Sequence, residues 1–564
     1  MPSNLTETIV GAAIACALAT SSSASVTISA DTTQNESCNA GVCTPTGKNA
    51  NINVGDLQGM LANSDVTVKT GAGSTAIGVT SPLTWASTHR LTLEADQSIH
   101  IRAPIMVEGT SGITLLTISS SGTGGVGGDY TFNTETSGSI TFWDTNSSLI
   151  INGRKYKLES SLPGLIKDAS ISPTSSSNSS SPTYPAFALA NDYDASADGV
   201  YAASPIQIPF RRILEGLGHS IANLQIKSPS RIDAGLFART TPSSIIRDVG
   251  LTNANISGGH DEGALVALNE GSIANCFATG MVLQGKHSAG GLVGGNSGTI
   301  TNSTAAVTVS ASYAGGLVGF TSGPMDRKSI TYSSATGDVT GDVAGGLVGE
   351  SGNDTIYYSH ASGFVQGMKA AGGLVGSAGN GIGYSYATGN VIGGDRAQVG
   401  GLAGVTGGAG WSFATGNVTG GRSSRVGGLV GEAEGAVDSY ARGDVKGGAA
   451  SYVGGLAGYI SGNGTSGSYS TGRVTGGSIR GGYVGFTGWS AGDDVNYWDV
   501  ETSSTTTGFG ECSDGEDERC AEEIVGLTTS QFKSGLPEGY LPNVWAEQSG
   551  INDGYPYLLA NPPQ

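Results

Sequence analysis

The segment AGGLVG at residues 289–294 returns at 314–319, 344–349 and 371–376. It continues as VGGLAG at 399–404, VGGLVG at 426–431 and VGGLAG at 453–458. Its leucines are Leu292, Leu317, Leu347, Leu374, Leu402, Leu429 and Leu456, at intervals of 25, 30, 27, 28, 27 and 27 residues. Weaker copies extend the series to Leu236 (AGLF), Leu265 (GALV) and Tyr483 (GGYVG). A fixed period of this size marks a repeat architecture, in which each unit buries its apolar side only against its neighbours. A chain of 564 residues is too long for one compact core. A rod escapes that limit because its core grows along one axis.

Each repeat has the same internal order. A turn follows the tag, and 11 to 13 residues past the leucine lies an aromatic slot. Phe277, Tyr386, Phe413, Tyr440 and Tyr469 fill it, with His360 and Thr304 once each. A short strand then carries Val282, Val339, Val365, Val391, Val418, Val445 or Val474. Three strand-sized pieces per repeat, at roughly 3.3 Å per residue, close a coil of about 90 Å perimeter at most. The expected fold is all-β: a right-handed parallel β-helix (solenoid) of ~27-residue, three-strand coils with a C-terminal cap. Leucines, aromatics and valines are expected as three internal ladders. A propeller blade needs about 40 residues, more than this period supplies.

Composition agrees. The chain has 93 glycines and only 13% charged residues, which suits short strands and tight turns. A net charge of −19 lacks the basic footprint of a nucleic-acid binder. It also opposes unaided attraction to anionic lipid. Cys38 and Cys43 lie five apart, and Cys512 and Cys520 eight apart. Both spacings suit short disulfide loops formed in an oxidising compartment. Cys276 reads as a buried apolar filler. Residues 9–20 (IVGAAIACALAT) resemble the apolar region of an export signal. No run is long enough to span a bilayer.

Five regions follow from these patterns. Residues 1–47 hold the leader and the Cys38/Cys43 loop, 48–160 alternate apolar and polar residues in short strands, and 161–205 are a Ser/Pro-rich linker and lead-in. Residues 206–500 form the repeat array and 501–564 its C-terminal cap.

The repeat resembles the GLUG motif of bacterial exoproteins. Residues 234–258 (AGLFARTTPSSIIRDVGLTNANISG) and 270–282 (EGSIANCFATGMV) fit the same pattern. PFRRILEGLGHSIANLQI at 209–226 is similar to the coil that leads into such repeats. Residues 83–105, 140–158 and 187–199 resemble filamentous-haemagglutinin-type exoproteins, and GLTTSQF at 526–532 with VWAEQSGINDGYPYLL at 544–559 resembles the closing segment of GLUG proteins. The resemblance implies a secreted or bacterial cell-surface β-helix with adhesin-like roles. Its partners would be host or neighbouring-cell glycans or proteins, and an outer-membrane protein would assist its export. No Asn-Pro motif of the two-partner secretion domain is evident, which leaves the export route open.

Candidate chemistry is sparse. Some GLUG proteins are zinc peptidases, but His89, His100, His219, His260, His287 and His360 form no H-E-x-x-H pair. No G-x-S-x-G elbow presents a nucleophile. Asp338, Asp342, Asp354, Asp395, Asp438 and Asp444 are the carboxylates that a β-helix saccharide enzyme would need to pair. Asp338 and Asp444 occupy the turn before the valine strand, a slot that also takes Asn390, Asn417 and Arg473, as a solvated turn position does. His360 reads as a core substitute for an aromatic ring. The acidic residues 511–518 suit a solvated loop better than a calcium site. The expected protein is therefore a non-enzymatic adhesin or structural rod, with no catalytic, cofactor or metal residues. A carbohydrate-active enzyme and a passive spacer are the alternatives.

Overall fold

The computed structural model describes residues 25–71, 74–118, 129–133, 137–170, 186–229, 232–323, 328–488, 495–513 and 523–563. The leader-like run, most of the Ser/Pro tract, Cys520 and residues 514–518 of the acidic loop lie outside them. The chain is 54% strand and 6% helix, wound into a parallel β-solenoid of about 17 turns with ~27-residue coils.

A regular coil runs Ala403–Gly410, Phe413–Ala414, Val418–Thr419 and Arg425–Gly427. The next repeats it as Val430–Val437, Tyr440–Ala441, Val445–Gly447 and Tyr452–Gly454. Each piece pairs in parallel with its successor, Ala403 with Val430, Phe413 with Tyr440, Val418 with Val445 and Arg425 with Tyr452. The tag is the bend between one coil's last piece and the next coil's first. There each leucine N–H donates to the next leucine's carbonyl, from Leu292 through Leu456 to Tyr483, at 2.7–3.0 Å. The tag leucines from Leu236 to Leu456 are fully buried, as is Tyr483. A Cβ at Gly345 would lie 1.9 Å from the Val348 carbonyl oxygen, and one at Gly346 2.0 Å from that of Gly373. Only glycine permits so close an approach.

The valine row, Val282 to Val474, forms a second buried ladder. The third is not aromatic. Ala278, Ala305, Ala335, Ala361, Ala387, Ala414 and Ala441 fill it. Phe277, Tyr386, Phe413 and Tyr440 each stand one residue before an alanine of this row, and Tyr469 stands before the buried Ser470, so strand alternation turns the ring outward. Space is the reason. Cβ atoms built at Gly346, Gly373 and Gly401 would sit only 2.8–2.9 Å from the Cβ of Ala361, Ala387 and Ala414 across the interior. A ring does not fit there, so the expectation of an internal aromatic ladder is corrected.

The stack is already under way at Ser25, upstream of the boundary read at Lys48. Ser25–Ser29 pairs in parallel with Ala50–Asn53 and with Ala76–Val79. Between these strands, the hairpin Glu36–Asn39/Val42–Pro45 is closed by a Cys38–Cys43 disulfide. Coils then stack Val66 on Leu91, Ile113 and Leu149. At Ser148–Ile151 the chain reverses into Arg154–Glu159, an antiparallel pair. That strand continues in parallel register through Ala186–Leu189, Ile213–Glu215 and Ile245–Arg247. The N-terminal region and the repeat array are thus one backbone-bonded stack with two apolar cores. Helix Leu162–Ala169, capped by Ser161, lies where the sequence reads as linker and buries Leu162 and Leu165. A polar cluster sits at the junction. Tyr130 donates to Glu215 at 2.5 Å, and Arg247 pairs with Asp248 at 2.6 Å while lying 4.1 Å from the centre of the Tyr130 ring.

The coils also run past residue 500. Val484 pairs with Phe509 and Tyr497 with Val525, so the stack extends to Leu527. The chain then folds back along the flank of the rod. The cap therefore starts later than residue 501, and it covers a lateral surface.

Candidate functional site

Each coil of the array turns into its aromatic-slot strand through one residue of left-handed backbone. These are Asp248 (φ 57°), Asn275 (55°), Asn302 (50°), Tyr332 (51°), Tyr358 (50°), Tyr384 (50°), Trp411 (48°) and Asp438 (44°). Asn and Asp take this conformation readily, and bulky residues do not. The Asx members form their own ladder, Asn302 donating to Asn275 at 2.7 Å and Asn275 to Asp248 at 3.0 Å. A serine row locks the corner. The N–H of Ser333, Ser359, Ser385 and Ser412 donates to the hydroxyl of the next coil's serine at 3.2 Å. Each hydroxyl donates in turn to the carbonyl two residues back. Cys276 holds this same position, with its N–H on Ser303 and its thiol 3.3 Å from the Ala274 carbonyl. It is buried, but as a member of the polar row.

In four successive coils the left-handed corner carries a ring. Tyr332, Tyr358, Tyr384 and Trp411 stack with centroids 5.0 Å apart and planes within 3°, 19° and 4° of parallel. Tyr332 is 46% exposed and Tyr358 38%; Tyr384 and Trp411 are half-buried. The stack makes a ridge about 15 Å long. Because the faces are occupied by neighbours, the ridge offers ring edges and phenol groups to a partner. Burial, with the neighbouring tyrosines, pushes the Tyr358 and Tyr384 phenols above their ordinary range. They stay neutral donors at physiological pH.

Two residues further on lies the second stack. His360, Tyr386, Phe413, Tyr440 and Tyr469 follow at 4.8–5.1 Å with planes within 5°. Phe277 stands apart from it, half-buried over Gly250, with Thr304 next in register. His360 stacks on the outside rather than serving in the core, and burial lowers its pKa. The folded-back C-terminal segment covers the later rings. Trp545 lies 6.1 Å from Tyr440 and 5.8 Å from Tyr469, and Phe532 5.4 Å from Tyr469. Tyr469 donates to the Pro556 carbonyl, Trp545 to Asp438, and Arg442 to Asn552 and Asp553. The segment ends beside the ridge, where Asn561 donates to the carbonyls of Ser385 and Trp411.

The aspartates do structural work at the turns. Asp338 accepts the Phe364 N–H, Asp395 that of Arg422, and Asp444 that of Arg473. Asn390 and Asn417 do the same for the coils between. Asp354 is buried and accepts the Gly323 N–H, and Asp342 pairs with Lys369. Cys512 is disulfide-bonded, and Cys520 lies outside the described residues. Two groupings escaped the sequence reading. One is the ridge, whose signal was the spacing of Tyr332, Tyr358, Tyr384 and Trp411 by 26 or 27 residues. The other is His260, Asp261 and His287, whose ligand atoms lie within 4.8 Å of one another. Its signal was the 27 residues between the histidines.

Fold and surface together define a β-solenoid repeat protein with its rings outside. No family model matches the chain. An alignment of 117 positions that covers 19% of the chain is 32% identical to Halomucin of Haloquadratum walsbyi (strain DSM 16790 / HBSQ001). That match spans 1% of Halomucin. No helix among the described residues is long and apolar enough to cross a membrane.

Proposed function

We propose that this protein is a non-enzymatic rod, secreted or displayed on a cell surface, that binds glycans or proteins of other cells. The ridge of Tyr332, Tyr358, Tyr384 and Trp411 is its contact face. The observation that carries this reading is a row of four stacked rings, two exposed and two half-buried, at a corner where Asn or Asp would fit without strain. A left-handed non-glycine residue costs roughly 1–2 kcal/mol. A stacked pair returns about 0.5–1.5 kcal/mol, so the fold gains little from the rings. Tyrosine and tryptophan present large rigid area with a polar tip, as binding surfaces do. The GLUG resemblance, the Cys38–Cys43 disulfide and the partial likeness to a protein named Halomucin support a place outside the reducing cytosol.

The test is a glycan and host-protein binding screen on the full chain beside a variant carrying Tyr332→Asn, Tyr358→Asn, Tyr384→Asn and Trp411→Asn. Asparagine suits the corner and extends the existing Asx ladder, so the circular dichroism spectrum is expected to be unchanged while binding is lost. Equal binding by both proteins refutes the ridge as contact face. Saccharide cleavage by the full chain refutes the non-enzymatic reading.

A further inference from the structure

The grouping of His260, Asp261 and His287 belongs to no ladder of the fold. Asp261 and Ser288 pair in register on adjacent coils, which sets His260 directly over His287. Their rings stack at 4.8 Å and 11°. Both Nδ1 atoms face one carboxylate, His287 at 2.9 Å from Asp261 Oδ1 and His260 at 3.1 Å from Oδ2. A second carboxylate stands on the preceding coil, Asp233 Oδ1 being 4.0 Å from His260 Nδ1. The rings of Tyr313 and Phe320 flank His287 edge-on at 5.4 and 6.5 Å and hold its orientation. Ser288 donates to Asp261 at 2.5 Å and fixes the carboxylate between the imidazoles.

We propose that His260, Asp261 and His287 form a binding site for a divalent transition-metal ion of the zinc type, with Asp233 available as a further oxygen ligand. Imidazole nitrogen with carboxylate is a donor set for Zn²⁺, Ni²⁺, Co²⁺ or Cu²⁺, whereas Ca²⁺ prefers oxygen alone. Charge favours a cation as well. The carboxylates of Asp261 and Asp233 both face the histidines, so a cation entering there would meet two acidic side chains. The ligands come from three successive coils, so the ion would clamp those coils together. The site is independent of the aromatic ridge and of what the rod binds.

The test titrates Zn²⁺ into the full chain and into His260→Asn/His287→Gln by calorimetry, with Co²⁺ absorption as a second readout. One equivalent of Zn²⁺ is expected to bind at least tenfold more tightly to the full chain than to the variant. Co²⁺ should give visible d–d bands that the variant lacks. The substituted side chains are half-exposed, and a matching melting curve for the metal-free proteins shows that the variant is folded. Equal Zn²⁺ binding by both, or no binding by either, overturns the proposal. Calcium binding that survives the substitutions, without a Zn²⁺ difference, overturns it too.

Discussion

At the scale of single residues, the two buried tyrosines of the outer stack make a controlled pair. Both are fully buried and both stack on ring neighbours. Tyr469 donates to the Pro556 carbonyl at 2.5 Å and accepts from Asn552 at 2.9 Å. The Tyr440 hydroxyl has no hydrogen-bond partner among the described residues. A buried hydroxyl without a partner carries a desolvation cost of about 1–3 kcal/mol, whereas a paired one contributes about 1 kcal/mol. The same substitution should therefore act with opposite sign at the two sites. Tyr440→Phe is expected to stabilise the protein by about 1 kcal/mol, and Tyr469→Phe to destabilise it by about 1–2 kcal/mol. Urea unfolding of both variants against the parent checks the signs. A loss at Tyr440 as large as that at Tyr469 would show that the first hydroxyl is satisfied in solution.

At the scale of elements, the folded-back C-terminal segment is a cover for one flank of the rod. Phe413, Tyr440, Tyr469 and Tyr497 form an apolar cluster with Phe532, Tyr540, Trp545, Tyr555 and Leu558 that is separate from the solenoid interior. Removing residues 528–564 leaves every coil pairing up to Leu527 in place while uncovering that cluster. An exposed apolar patch of this kind promotes association. The truncated chain is expected to keep its β-rich circular dichroism, to bind a hydrophobic dye and to aggregate. A monomeric product with no gain in dye binding would mean that the segment does not cover the rings. The sequence made the coil legible because the AGGLVG tag must repeat wherever Gly–Gly bends pack on leucines. It could not show on which side the aromatic slot faces. Alternation fixes only that Tyr386 and Ala387 point opposite ways, and both aromatic residues and alanine occur in cores. The decision came from the gap between Gly373 and Ala387, a distance between coils that no single repeat contains. The ridge was hidden for a related reason, since Tyr and Trp rarely hold a left-handed corner. His260 and His287 meet only once the coil length is known.

At the scale of the whole molecule, the rod is one stack with a reversal in it, and that junction contributes to the pH dependence of its stability. Arg154–Glu159 joins the N-terminal coils to the repeat array. Glu159 is 5% exposed there, and burial, with Asp168 beside it and Lys157 opposing, pushes its carboxyl up to about 7. Glu215 is fully buried at the same junction, and burial together with Asp248 pushes it upward as well. Glu36, the first residue of the N-terminal hairpin, is pushed to about 7 by burial. For an acid whose folded pKa is raised, the sign is fixed by linkage. Below about 4.5 both folded and unfolded chains hold the proton and nothing is lost. From there to about 7 the unfolded chain ionises first, so stability falls as pH rises, and the full cost is present above 7. For Glu159 that cost is about 3 kcal/mol. Self-repulsion of a chain with net charge −19 acts in the same direction. The urea midpoint is therefore expected to be higher at pH 5 than at pH 8. Glu159→Gln separates the local term from the global one. It should raise the midpoint at pH 8, change it little at pH 5, and flatten the profile between. It should also slow proteolysis between residues 151 and 169 at pH 8, because the junction opens less often. A midpoint that is flat or rises toward pH 8 in the parent would show that these carboxyls are solvated.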